Sequence, residues 1–144
     1  ATGAIVSVVK SAVDRSRPPV GLRLAVETEP SFPSGHASDS TALFVATAVI
    51  VAVVVFRKPL LRLVVVGFGF AASALMGVTR LVLGVHWPTD VFAGWALGTL
   101  VALVVVSCAL LVVRFVPAEV AADTRRVAIR NSLLGVCNLQ RSAR

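Results

Sequence analysis

Three short polar clusters break an otherwise apolar chain: Lys10-x6-Arg17-Pro18, Pro33-Ser34-Gly35-His36 and Arg80-x5-His86-x3-Asp90. Both histidines of the 144 residues fall within them. Two imidazoles, a carboxylate, a hydroxyl and fixed cations are the parts needed to hold a phosphate, attack it and protonate its leaving group. Arginine's planar fork matches phosphate oxygens, and lysine supplies a point charge.

Each cluster also has a local structural meaning. Ser34 is placed to cap a helix that begins at the following residues, and Gly35 lets the backbone approach a ligand closely. An anion can sit on the free amides of such a helix start. Pro-Ser-Gly alone would be an ordinary helix start, but a capping turn has no need of His36. Pro88 suits the first position of a further helix, which leaves His86 just ahead of it and Asp90 in its first turn. Asp90 can then reach back to one ring nitrogen of His86, fix the tautomer and leave the other nitrogen as a free lone pair. Trp87 reads as an interfacial anchor. A lone Lys10, Arg17 or Arg80 would read as a headgroup anchor, and it is their company with two histidines that argues for a site.

The elements that must carry these clusters are membrane spans. Hydrophobic residues make up 57% of the chain and charged residues 15%, the balance of a protein whose solvent is mostly lipid. Apolar stretches run from about Ala37 to Phe56, Leu60 to Val78 and Val91 to Val113. A helix of roughly 20 residues crosses a hydrocarbon core of about 30 Å. Arg62 and Arg114 lie near span ends, where they can snorkel. Valine-rich runs such as 51–55 would suit a strand in water, but their length and lack of alternation favour helix in lipid. The reading is all-α: an integral membrane helical bundle with three complete transmembrane helices. Ala4–Val9 is too short to span and reads as the end of a preceding helix. With Ala1 in place of an initiator methionine, N-terminal helices are expected to be missing.

Alternating spans would put the three clusters on one side of the membrane. On that side Lys10, Arg15, Arg17, Arg23 and Arg80 are balanced by Asp14, Glu27, Glu29, Asp39 and Asp90. The other side holds nine basic residues, including Arg57, Lys58, Arg62 and Arg114, against Glu119 and Asp123, and so carries the whole formal charge of +7. Lysine and arginine collect on the cytoplasmic side, which places the clusters at the extracytoplasmic face of the plasma membrane. Residues 1–116 are read as the membrane-embedded core and 117–144 as a basic cytoplasmic tail. That tail could carry a short amphipathic helix through Val120, Val127, Ile129, Leu133 and Leu134. The basic residues lie beside spans without interleaved aromatics, so a nucleic-acid partner is not expected. Cys108 and Cys137 make neither a probable disulfide nor a metal site, and His36 and His86 lack the ligand spacing of a zinc cage. No metal or other cofactor is expected.

The motifs Lys10-x6-Arg17-Pro18, Pro33-Ser34-Gly35-His36 and Thr79-Arg80-x5-His86-x3-Asp90 resemble, in order and internal spacing, the three signatures of the type 2 phosphatidic acid phosphatase family. The resemblance covers about Ala4 to Val116. It implies a helical membrane enzyme in which His86, oriented by Asp90, attacks phosphorus and forms a phosphohistidine, while His36 protonates the leaving group. Lys10, Arg17, Ser34, Gly35 and Arg80 would bind the phosphoryl oxygens, and water would then release phosphate without a metal. Thr79 stands where the family usually has serine, and members usually have about six spans.

The expected partners are membrane lipids and a lipid phosphate or diphosphate substrate, for which prenyl diphosphate, phosphatidic acid and phosphatidylglycerol phosphate all qualify. A prenyl diphosphate or related bacterial lipid phosphate is the first choice, on the resemblance. A lipid phosphotransferase using the same site is the nearest rival, and a non-catalytic membrane scaffold is the rival from another class. A soluble vanadium-dependent haloperoxidase would share the motifs, but lipid-length spans argue against it. Nothing in the sequence specifies an oligomer.

Overall fold

Local signals, the Ser34 cap, Pro59, Gly84 and Pro88, mark several of the helix ends. The computed structural model describes residues 2–114, so the expected tail over 117–144, its amphipathic helix and Cys137 lie outside the described residues. Residues 2–107 pack as one compact unit, and the site lies wholly within it. Helix α1 spans Thr2–Val13, a single 3-10 turn covers Val20–Leu22, α2 spans Gly35–Val55 and α3 spans Pro59–Val82. Helix α4 spans Pro88–Arg114. No strand occurs among the described residues, so the all-α bundle is what forms.

Helices α2, α3 and α4, of 21, 24 and 27 residues, are each long and apolar enough to cross a membrane. At about 1.5 Å per residue even the shortest is about 31 Å long. The edges differ from the sequence expectation for local reasons. Ser34 accepts a hydrogen bond from the Ala37 amide and starts α2 two residues before Ala37. Helix α3 continues past Val78 until Gly84, whose φ of +64° ends it. A side chain there would also meet the Leu22 carbonyl, because the loop after α1 crosses at that point. Pro88 opens α4, and the Asp90 carboxylate accepts the Trp87 amide at 2.9 Å, which is the return arm of a capping box.

The packing suits lipid rather than water. Large apolar residues such as Leu63, Phe68, Leu75 and Phe92 face outward. Ala37, Ala48, Ala52, Ser38, Thr41 and Ser73 fill the interior. Without a hydrophobic force between helices, close backbone approach and interhelical hydrogen bonds hold such a bundle. Thr41 and Ser73 hydroxyls bond across α2 and α3, and Trp95 Nε1 of α4 donates to the Ser73 carbonyl at 3.2 Å. Gly94 brings α4 onto the first turn of α2, where a Cβ would lie 2.8 Å from both the Ala37 Cβ and the Ser34 carbonyl oxygen.

This arrangement gathers the C-termini of α1 and α3 and the N-termini of α2 and α4 at one end. The Ser34 amide donates to the Asp90 carbonyl at 3.0 Å, and the Leu24 amide donates to the Leu83 carbonyl at 2.9 Å. Asp14, in a left-handed conformation with φ of 44°, ends α1 and turns the chain toward that junction. The turn with Arg57 and Lys58 joins α2 to α3 at the opposite end.

Candidate active site

Lys10 near the end of α1, Arg17 in the following loop, Gly35 and His36 at the start of α2, and His86 before α4 all line one cavity of about 480 Å³. Lys10 and Arg17 are each 9% exposed and His86 is 5% exposed, whereas His36 stands open on the wall. Ser34 and Asp90, both fully buried, lie behind the lining. Arg80, at the end of α3, is half-buried and does not line the cavity; Met76, one turn earlier, does. The Arg80 Nε instead donates to the Thr79 hydroxyl at 3.4 Å.

The surroundings of His86 fix its tautomer. Arg17 Nη1 lies 3.3 Å from His86 Nε2. A guanidinium can only donate, so Nε2 is the acceptor and a neutral imidazole carries its proton on Nδ1. The lone pair therefore faces the cavity's cations. Nδ1 points to Asp90 Oδ2 at 3.6 Å, an ion-pair distance, and has no hydrogen-bond partner. A contraction of about half an ångström would make the bond, as catalytic hydrogen bonds often tighten on substrate binding. Burial and the Arg17 charge push the His86 pKa below the usual histidine value of 6.5, outweighing the Asp90 carboxylate. The imidazole is thus neutral, as a nucleophile must be.

Arg17 is held on several sides. Its Nε donates to the Glu29 carbonyl at 2.7 Å, Nη1 donates to the Val85 carbonyl at 2.9 Å, and Nη2 pairs with Glu27 at 3.4 Å. Lys10 Nζ pairs with Glu29 at 2.8 Å. That bond and the Lys10 charge lower the pKa of Glu29. Glu29 is 72% exposed, so the pair is a weakly held surface contact on the carboxylate side. Glu27, Glu29 and Asp39 share the cavity wall with the two cations. The motifs could not reveal these acidic partners, because Glu27 and Glu29 lie in an irregular loop whose path no local periodicity encodes.

Arg15 also escaped the motif reading. Its Nη1 donates to Asp90 Oδ1 at 2.9 Å and to the Thr89 hydroxyl at 2.6 Å. An arginine two residues before Arg17 was the available signal, but its partners lie some 75 positions away.

An apolar groove of about 650 Å³ between α2 and α3 adjoins the polar cavity, with Leu43 and Phe44 lining both. Among the described residues, no group of three His, Cys, Asp or Glu side chains could hold a metal ion.

The profile of the PAP2 superfamily matches residues 1–114. A lipid A 1-phosphatase of Rhizobium etli is 33% identical over 127 residues, covering 76% of this chain and 48% of the relative. An undecaprenyl-diphosphatase of Sulfolobus acidocaldarius is 38% identical over 72 residues, covering 50% of this chain and 30% of the relative. The crystal structure of a transmembrane PAP2-type phosphatidylglycerolphosphate phosphatase from Bacillus subtilis superposes with a TM-score of 0.70 and 29% identity. That match covers 79% of this chain and 56% of the other. The chain spans about half or less of the length of these curated relatives.

Proposed function

The chain belongs to the PAP2 superfamily, and from that premise we propose that it is an integral-membrane lipid phosphatase acting through a phosphohistidine on His86. The observation that carries this reading is the buried, neutral His86 with its Nε2 lone pair turned to Arg17, in a cavity shared with Lys10 and His36.

The phosphate enters between Lys10, Arg17 and the first amides of α2 at Gly35 and His36, with Ser34 behind them as the helix cap, so that helix dipole and cations act together. Its oxygens take the place of Glu29 on Lys10 and of Glu27 on Arg17. Arg80, a turn beyond the Met76 wall, swings in as a further cation. Arg17 stays anchored through its Nε on the Glu29 carbonyl while its Nη1 contact to Nε2, long at 3.3 Å, gives way to a phosphoryl oxygen and releases the lone pair. Nε2 attacks phosphorus, the bond to the leaving oxygen breaks, and His36 gives that oxygen its proton. Positive charge develops on the His86 ring and is met by Asp90 across Nδ1–H. Water then attacks phosphorus, His36 takes its proton, and the P–N bond breaks to free phosphate and neutral His86. The cations supply the charge stabilisation, and no step requires a metal.

The substrate is a lipid phosphate or diphosphate whose headgroup fills the polar cavity while its hydrocarbon tail runs into the adjoining groove beside Leu43 and Phe44. A prenyl diphosphate is the first candidate, supported by the undecaprenyl-diphosphatase relative. Phosphatidylglycerol phosphate is supported by the Bacillus subtilis structure, and phosphatidic acid carries the same phosphomonoester. The charge asymmetry of the two ends supports an extracytoplasmic site. The reading is tested by phosphate release in detergent with EDTA, comparing the protein with His86→Ala, and by trapping of labelled phosphohistidine with an alkaline detergent quench, since the P–N bond is lost in acid. Release and trapped label both lost in His86→Ala are expected. Release that survives the substitution would overturn the reading.

A further inference from the structure

We propose that Arg15 is a positioning residue for His86, acting through Asp90. Asp90 is fully buried and each of its oxygens has a defined task. Oδ2 accepts the Trp87 amide at 2.9 Å and faces His86 Nδ1 at 3.6 Å. Oδ1 accepts Arg15 Nη1 at 2.9 Å. A carboxylate held only through Oδ2 can rotate about its terminal torsion, which is broad for aspartate. Arg15 supplies the second point that stops this rotation. It is the acidic side chain's ion pair from outside, 38% exposed against 0% for Asp90.

Arg15 is itself fixed from three directions. Its Nη1 also bonds the Thr89 hydroxyl, so one nitrogen bridges two neighbouring side chains of α4. Its guanidinium lies over the Trp87 ring, 5.9 Å from the centroid, and Trp87 Nε1 donates to the Ser16 carbonyl at 3.0 Å. The Arg15 carbonyl accepts both the amide and the hydroxyl of the fully buried Ser31. The loop after α1 is thereby clamped to the first turn of α4. The charged and titratable groups around His86 are Arg17 on the Nε2 side, Asp90 on the Nδ1 side, and Lys10, Glu27, Glu29, His36 and Asp39 around the cavity. Arg15 touches only Asp90 among these. Its effect on the imidazole must pass through that carboxylate.

The inference rests on the His86 role proposed above, but its test does not need turnover. The full chain, labelled with 15N-histidine in detergent, carries only two imidazoles, and His36→Gln assigns them. Ring nitrogen shifts at a pH where His86 is neutral report whether the proton sits on Nδ1 or Nε2. The unsubstituted protein is expected to hold the Nδ1–H tautomer through Arg17 on the Nε2 side and Asp90 on the Nδ1 side together, and Arg15→Gln, which leaves only the long 3.3 Å Arg17 contact, to show a mixture. In turnover, Arg15→Gln should lower kcat by roughly tenfold to a hundredfold with KM little changed, the scale of a misplaced catalytic group. Should Arg15→Gln not fold, Arg15→Lys decides the matter, because lysine keeps the charge but cannot both stack on Trp87 as a planar fork and bridge Thr89. A partial tautomer mixture and a lowered kcat in that variant support the proposal. An unaltered tautomer with an unaltered kcat, in Arg15→Gln or in folded Arg15→Lys when the former is lost, overturns it. A tautomer change in a protein that releases no phosphate would sink the phosphatase reading and leave the positioning role standing.

Discussion

Asp90→Asn isolates the charge that His86 relies on while keeping the side chain's volume. In the intact site both carboxylate oxygens face donors, Arg15 Nη1 on one side and the Trp87 amide with His86 Nδ1 on the other. Asparagine has one acceptor and one donor end, so its amide nitrogen must oppose one of them. Arg15 is partly exposed and can turn to water, so the amide nitrogen settles on that side and the oxygen stays near His86. What is lost is the negative charge opposite the ring as it becomes cationic. At the 3.6 Å ion-pair distance, full unit charges in an effective dielectric near 20 interact by about 4–5 kcal/mol, and a half-formed charge by about 2 kcal/mol. That corresponds to a fall in kcat of about 30-fold. KM should change little, since Asp90 does not line the cavity. The imidazole pKa, already lowered by burial and Arg17, should fall further without its carboxylate, which 15N titration would read. Steady-state kinetics in detergent on folded variant protein decide the matter. A kcat within threefold of the unsubstituted protein, or an imidazole pKa that rises, would refute the electrostatic argument.

Other perturbations probe the remaining parts. His36→Ala should abolish release from alkyl phosphates but retain a measurable part of the rate on an aryl phosphate, whose leaving oxygen needs no acid; equal losses on both would remove His36 from that role. Glu29→Gln should lower KM by about two- to fivefold at constant kcat, because phosphate no longer competes with a carboxylate for Lys10, and a raised KM would count against the exchange. Gly94→Ala forces a Cβ to within 2.8 Å of the Ser34 carbonyl and should cost about 1–3 kcal/mol, read as a lower Tm, whereas Gly67→Ala, with nothing within 4 Å, should not destabilise. Thermal stability should be full above about pH 6.5, where His86 is neutral folded or unfolded, and fall as pH drops through the lowered folded pKa; His86→Asn should flatten this dependence.

The spans were legible because lipid imposes a simple rule: an apolar helix must be long enough to satisfy every backbone group within itself. Their caps were legible too, since Ser34 before Gly35 and Pro88 before Asp90 are local signals. The convergence of Lys10, Arg17, Gly35, His36 and His86 on one cavity followed from the alternation of spans. The contacts made by the loop after α1 were not legible. Arg15 finds Asp90, Arg17 finds Val85, and Leu24 finds Leu83 across separations that no helical period spans. Arg80 shows the converse. Its place in the motif is clear, yet its side chain in this structure bonds Thr79 and stays off the cavity wall.

The acidic residues change how the site's charge is understood. Read from the motifs, the cluster is a concentration of cations waiting for an anion. In the structure Lys10 and Arg17 are already paired, and the cavity wall carries Glu27, Glu29 and Asp39 besides. Two buried cations without partners would carry a large desolvation penalty, so the carboxylates stabilise the empty state. They do so unequally: Glu29 is 72% exposed and Glu27 30%, while Lys10 and Arg17 are nearly enclosed. Moving an exposed carboxylate into water costs little; moving the enclosed cation costs much. For the phosphate binding proposed above, this makes binding an exchange in which the cations stay and the glutamates leave. A phosphate dianion can replace both carboxylates on the two cations at once, whereas a singly charged headgroup replaces only one and leaves a cation under-compensated. On the proposed function, the same pairing predicts tighter binding of a dianionic headgroup than of its protonated form or of neutral or singly charged lipids, read as a KM that rises as the headgroup is protonated.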